Sequence, residues 1–185
     1  MKKLALTILA LGLGLTAAQA GSSSYYYSAK APAKDPIPLQ PENCFYAGET
    51  FVDIFGMYSN PNGSSSGLAE LDAGYGGGFG VGHFLTEYFG VRGRAYWWDG
   101  DGATTSLNAD AIVRVPIQSL CVAPYAYGGI GGAFSDNADQ FTQHLGAGVE
   151  LRLTGRMGVF ADYSYNFAED SSDWNLYTIG VRVLF

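Results

Sequence analysis

The chain has 185 residues, 26 of them glycine and 13 tyrosine, with 15% charged, which allows one domain and suits strands better than helices. Seventeen acids against ten bases give a net charge of −7. That balance argues against a nucleic-acid partner, which needs a basic footprint to displace phosphate counterions.

Residues 1–20 read as a secretory signal peptide. Lys2 and Lys3 make a basic start, residues 4–15 are an apolar run too short to span a bilayer, and Ala18-Gln19-Ala20 is a small-x-small cleavage pattern before Gly21. Removing it leaves eight bases against seventeen acids, a net charge of −9. Residues 21–43 differ from everything after them. They hold Ser22 to Ser24, Tyr25 to Tyr27, Lys30, Lys34 and four prolines, a composition expected to form a flexible periplasmic tail rather than a core.

Beyond residue 44 the chain alternates between short apolar-polar segments and turn residues, the rhythm of an all-β domain. Eight strands are expected at 49–58, 74–85, 88–98, 104–115, 121–133, 141–153, 157–167 and 174–185. Each is near the length of about 9–11 residues that a tilted strand needs to cross a bilayer. The connections at 86–87, 116–120 and 154–156 are tight, and those at 59–73, 99–103, 135–140 and 168–173 are longer and polar. Short turns at one end and longer loops at the other are expected of an eight-stranded antiparallel up-and-down transmembrane β-barrel, with both termini on the short-turn, periplasmic side.

Which charges occur, and where, favours a membrane barrel over a soluble one. In the third segment Phe89, Val91, Gly93, Ala95 and Trp97 share a face, opposite Arg92 and Arg94. In the sixth, Leu145, Ala147, Val149, Leu151 and Leu153 oppose His144, Glu150 and Arg152. No lysine follows Lys34, whereas a water-facing sheet uses lysine freely and arginine suits buried multidentate pairing. The polar faces together hold Asp53, Arg92, Arg94, Asp110, Arg114, Glu150, Arg152, Asp162 and Arg182. These are expected to form a charge network filling a lumen wide enough only for side chains. Tyr58, Tyr75, Phe89, Trp97, Phe141, Tyr163, Tyr165, Phe167 and Tyr177 fall on the apolar faces, as interfacial girdles do. The fifth segment stays open: Tyr125 and Tyr127 lie on one face, Val122 and Ile130 on the other.

Three stretches of sequence carry a resemblance. Residues 146–154 (GAGVELRLT), 162–165 (DYSY) and the closing 180–185 (GVRVLF) resemble the outer-membrane β-barrel family related to the OmpA transmembrane domain and OmpX. The likeness covers roughly residues 45–185. It implies an eight-stranded, non-enzymatic barrel serving envelope integrity or surface interactions, without the peptidoglycan-binding domain of OmpA. Phe185 resembles the terminal signal read by the barrel-assembly machinery. The implied partners are outer-membrane lipids, lipopolysaccharide and that machinery. A monomer with no cofactor is expected.

Other candidates are weighed on their own residues. Cys44 and Cys121 both belong at the tight-turn rim of an oxidising compartment. A disulfide drawing the tail across the barrel mouth and two free thiols both stay open, since a bond needs Cα atoms within about 7 Å. The longer loops carry Glu70, Asp72, Asp99, Asp101, Asp136, Asp139, Glu169, Asp170 and Asp173. By itself this charge run reads as a solvated rim. A Ca²⁺ or Mg²⁺ site is the alternative, with Asp99 and Asp101 the nearest thing to a calcium-loop fragment. His83 is expected at the tight-turn end and His144 at the loop end, too far apart for one site. Neither stands in a His-x-Ser pair, so nucleophilic catalysis has no visible base and hydroxyl.

Overall fold

A computed structural model describes residues 43–61, 73–100, 102–134, 139–168 and 173–185. The expected signal peptide and nearly all of the expected tail, together with Glu70, Asp72, Asp101, Asp136, Glu169 and Asp170, lie outside the described residues. The strands are β1 (Thr50–Pro61), β2 (Gly74–Phe84), β3 (Phe89–Gly100), β4 (Gly102–Arg114), β5 (Val122–Phe134), β6 (Asp139–Thr154), β7 (Met157–Ala168) and β8 (Trp174–Leu184). Each pairs antiparallel with its neighbour in sequence, and β8 pairs with β1, so the sheet closes into a barrel. Closure removes both edge strands and pairs every ladder, the condition a sheet must meet in a bilayer.

The tight turns are built by side chains suited to them. The Thr86 hydroxyl accepts from the amides of Tyr88 and Phe89 at 3.2 and 2.9 Å, and Thr154 does the same for Arg156 at 3.2 Å. Between β4 and β5 the chain makes an isolated bridge from Ile117 to Val122 and passes Cys121 at φ 53°. Two connections differ from expectation: Asp139 and Gln140, expected in a longer loop at 135–140, already belong to β6 and pair with Phe134 and Ala133, and the connection at 99–103 is shorter still. β3 runs to Gly100 and β4 starts at Gly102, which pair across the ladder. The expected longer loop at 99–103 is therefore tight, because two glycines let the ladder continue to its tip. Asp99 accordingly ends a strand rather than lying in a loop.

The wall is inside-out relative to a soluble protein. Ile54, Phe79, Leu107, Ile130, Leu145 and Ile179 are exposed on the outer face, while Asp53, Arg92, Asp110, Glu150 and Arg182 are buried inside. All nine expected girdle aromatics point outward. Tyr163, Tyr177, Tyr58 and Tyr75 stand in one row across β7, β8, β1 and β2, with ring centres 5.2, 6.4 and 5.0 Å apart. The face of β5 is settled as well: Tyr125 and Tyr127 are buried in the lumen and Ile130 is outside.

Room for large inward side chains comes from inward glycines on the neighbouring strand. Gly146 and Gly148 of β6 pair with Tyr127 and Tyr125 of β5. A Cβ on Gly148 would lie 2.8 Å from the Tyr125 ring, so the phenols occupy space that only glycine leaves.

Candidate functional site

Among the described residues, chemistry-bearing side chains converge in the lumen. All nine expected charged residues are there, and at most 7% of any of them is exposed. They form a continuous chain that starts at the tight-turn end with a tenth member, Glu49, which is fully buried. Its carboxylate meets Arg114 Nη1 at 2.7 Å and Arg152 Nη2 at 3.0 Å. Arg152 Nε reaches Glu150 at 2.6 Å, and Glu150 also takes Arg182 Nη1 at 2.6 Å. Arg182 then binds Asp53 through two parallel bonds of 2.8 Å. This fork-on-fork geometry is the strongest form of carboxylate pairing.

Asp53 leads on to Arg92 at 3.8 Å. Asp110 accepts from Arg92 Nε at 2.8 Å and lies 2.9 Å from Arg94 Nε. Beyond Arg94 the chain of charges changes character. Arg92 and Arg94 stand 4.6 Å from the centre of the Tyr127 ring, one cation–π contact each. The hydroxyls of Tyr125 and Tyr127 donate to Asp162 at 2.7 and 2.9 Å. Asp162 is thus held by two phenols, a role that the ambiguous β5 pattern hides in the sequence.

With Glu49 included, five carboxylates balance five guanidinium groups, four in direct contact and Asp162 through the two phenols. Burying this many charges is tolerable only when each is paired and its remaining hydrogen-bonding positions are met. In sequence Glu49 reads as the first residue of a strand. In the structure it precedes β1, where Gly48 at φ 84° turns the chain so that the carboxylate enters the mouth.

The histidines need a correction. His144 is not at the loop-end rim; it is buried in the lumen with Nε2 2.6 Å from Asp110 Oδ1. β6 starts at Asp139 and runs for sixteen residues, which carries His144 well into the barrel. His83 is on the outer face, where Nδ1 lies 3.0 Å from the Thr50 hydroxyl. The two are separated by the barrel wall, not by its height, and they form no common site.

The tight-turn mouth is covered. Cys44 and Cys121 are joined by a disulfide with Cα atoms 5.4 Å apart. Phe45 is fully buried beneath it, its ring centre 4.9 Å from the guanidinium carbons of both Arg114 and Arg152. At the other end of the chain, Phe185 N donates to Thr50 O at 2.9 Å and the Phe185 ring is exposed outward. Among the described residues no group of three or more His, Cys, Asp or Glu side chains is placed to hold a metal.

Comparison with known proteins agrees with this architecture. The family description "Outer membrane protein beta-barrel domain" matches residues 6–185. No curated protein sequence matches the chain. Among solved structures, the N-terminal β-barrel domain of Pseudomonas aeruginosa OprF superposes with a TM-score of 0.61 at 16% identity, covering 76% of this chain and 99% of that one. Neisserial surface protein A gives 0.58 at 17% identity, covering 74% and 96%. Ail, the attachment invasion locus protein of Yersinia pestis, gives 0.56 at 17% identity, covering 75% and 99%. At these identities the likeness speaks for the fold alone.

Proposed function

Because the chain belongs to the outer membrane protein beta-barrel family, we propose that it serves as a closed, non-catalytic barrel that supports the integrity of the outer membrane. One observation carries this reading: the charged chain from Glu49 to Asp110 runs through paired, buried side chains, with a plug over its tight-turn end. A pore needs hydrated side chains lining a path, whereas these are buried and held at ion-pair distance from one another.

The rest of the reading follows from the same fold. The signal peptide exports the chain, both ends of the barrel domain face the periplasm, and the girdle rings sit at the headgroup level. The protein acts as a monomer, in contact with outer-membrane lipids and lipopolysaccharide. The barrel-assembly machinery recognises the outward Phe185. Catalysis is not part of this reading, since His144 is committed to Asp110 and His83 to Thr50 on the outer wall.

Ail is described in complex with a heparin analogue, sucrose octasulfate. That ligand class does not transfer, because the loop segments here are rich in acids and would repel a polyanion. The test is a deletion strain challenged with detergent and bile salts. Sensitivity restored to normal by the wild-type barrel, and equally by one with neutralised loop acids, supports the structural role. Rescue that depends on the loop acids points instead to cation or surface binding at the loops. A deletion strain of normal resistance contradicts the structural role.

A further inference from the structure

The segment before β1 is not a passive lead-in. Residues 44–49 cross the tight-turn mouth and are held at three levels. The Cys44–Cys121 disulfide joins two points 77 residues apart in sequence. Gln118, in the β4–β5 turn, clamps the backbone beside it: its side-chain oxygen accepts from the amides of Cys44 and Phe45 at 2.8 and 3.1 Å. Its side-chain nitrogen donates to Phe45 O at 2.8 Å. Below them, Arg114 donates to Tyr46 O at 3.3 Å and Glu49 accepts from Tyr46 N at 3.2 Å. Phe45 closes the opening above Arg114 and Arg152.

The turn that carries Cys121 is fixed independently of the bond. Leu120 N and Cys121 N donate to Ile117 O and Gln118 O at 3.1 and 3.3 Å, and Arg152 N donates to Cys121 O at 2.9 Å. Cys121 keeps φ at 53°, a conformation that a non-glycine residue adopts only where its surroundings hold it. One thiol is therefore presented on a rigid turn and the other on the segment to be captured. Both cysteines are partly exposed, while Phe45 and Glu49 next to them are buried. The cysteines are thus within reach from outside, as the buried Phe45 and Glu49 are not.

We propose that Cys44–Cys121 is a thiol–disulfide exchange site that works as a latch: oxidation seats residues 44–49 over the charged end of the lumen, and reduction frees them while the barrel stays folded. The partner class is a periplasmic dithiol oxidoreductase, whose disulfide form oxidises the latch and whose dithiol form reduces it by the same two exchanges run in reverse. One thiolate of the chain attacks that disulfide, forming a mixed disulfide and releasing one sulfur of the oxidoreductase as thiolate. The second thiolate of the chain attacks the mixed disulfide and releases the other. Two electrons pass to the oxidoreductase, and its two thiolates take up protons equivalent to those lost by Cys44 and Cys121.

The separation of latch from barrel comes from where the hydrogen bonds are. Strands β1 to β8 close without the segment, through the ladder of β1 with β8. What reduction leaves in place at the mouth is the Gln118 clamp, the bonds of Arg114 and Glu49 to the Tyr46 backbone, the Glu49 ion pairs, and the backbone bonds of Gly48 and Glu49 with Phe84 at 2.7 and 2.8 Å, all of them reversible contacts without a covalent tie. Once untethered, the segment opens at the low-stability end of the range found within one protein.

The experiment uses full-length exported protein, folded in detergent micelles, in three forms: oxidised, reduced, and Cys44→Ser/Cys121→Ser. Hydrogen exchange followed by mass spectrometry reads amides 44–49 against those of β2 to β7. A gel of unboiled samples reports whether each barrel remains folded. The expected result is exchange at 44–49 faster by about tenfold or more in the reduced and double-serine forms, with strand amides unchanged and the unboiled band retained. Re-oxidation of the reduced form with oxidised glutathione restores the slow rate.

Three results would overturn the latch. The disulfide could resist reduction in the folded barrel, so that it is no exchange site. Exchange at 44–49 could be unchanged after reduction. Lastly, the reduced and double-serine forms could lose the unboiled band, which would make the bond a staple of the barrel itself.

Discussion

The two ends of this lumen are filled by different means. The tight-turn half holds the charges: Glu49, Arg114, Arg152, Glu150, Arg182, Asp53, Arg92 and Asp110, joined without a break longer than the 3.8 Å between Asp53 and Arg92. Arg94 and Asp162 stand at mid-height, and the loop half beyond them holds no charge among its described inward residues. There Tyr96, Trp98 and Trp174 stack with centres 5.9 and 6.0 Å apart, and Ser106, Asn108, Thr142, Ser164 and Asn166 fill in around them.

The difference is one of consequence. Neutral polar groups in the loop half can be removed singly at modest cost, because each deletion leaves little stranded. In the tight-turn half a deletion takes from buried charges one of the few partners they have. Arg182→Leu is the largest test of this contrast. It removes the guanidinium that Asp53 and Glu150 share, leaving Asp53 only Arg92 at 3.8 Å and Glu150 only Arg152, and we expect a loss of about 3–5 kcal/mol in urea unfolding of the micelle-bound barrel. A loss below about 1 kcal/mol would mean that water enters and the network is not sealed.

Gly129→Val sharpens the boundary between the halves. A Cβ on Gly129 would lie 2.8 Å from Asp110 Oδ1 and 2.9 Å from His144 Nε2, and overpacking of this kind costs about 1–3 kcal/mol. In the loop half, Asn108→Ala removes the 2.9 Å donation to the Tyr96 hydroxyl and should cost about 1 kcal/mol in the same assay. Smallest is Tyr163→Phe on the outer wall. The exposed bond to Asn175 at 2.6 Å is lost, and a change within about 0.5 kcal/mol is expected. If Asn108→Ala proves as damaging as Arg182→Leu, the two halves do not differ in the way described.

Much of the wall is legible in the sequence because the charges alternate strictly with apolar residues. Arg92 and Arg94 between Val91, Gly93 and Ala95 can face only one way in a closed wall. β5 hides its orientation because neither of its faces is charged, so nothing in the strand itself chooses between Tyr127 and Ile130. The deciding signal is on the next strand, where Gly146 and Gly148 leave space for the two phenols. Position along the axis is harder to read than facing. Asp110 and His144 belong to strands that are two apart, and their meeting depends on the stagger of the barrel rather than on any local pattern. Glu49 and the cysteines share a further difficulty, because residues 44–48 turn across the mouth and chain order carries no sign of that path.

The closed lumen is the central claim, and single-channel recording in a planar bilayer tests it most directly. Oxidised, folded protein should insert and give no discrete conductance steps across a range of voltages. Stable ohmic steps from the same preparation would contradict the account, since ions would then be passing through a network that should have no hydrated path.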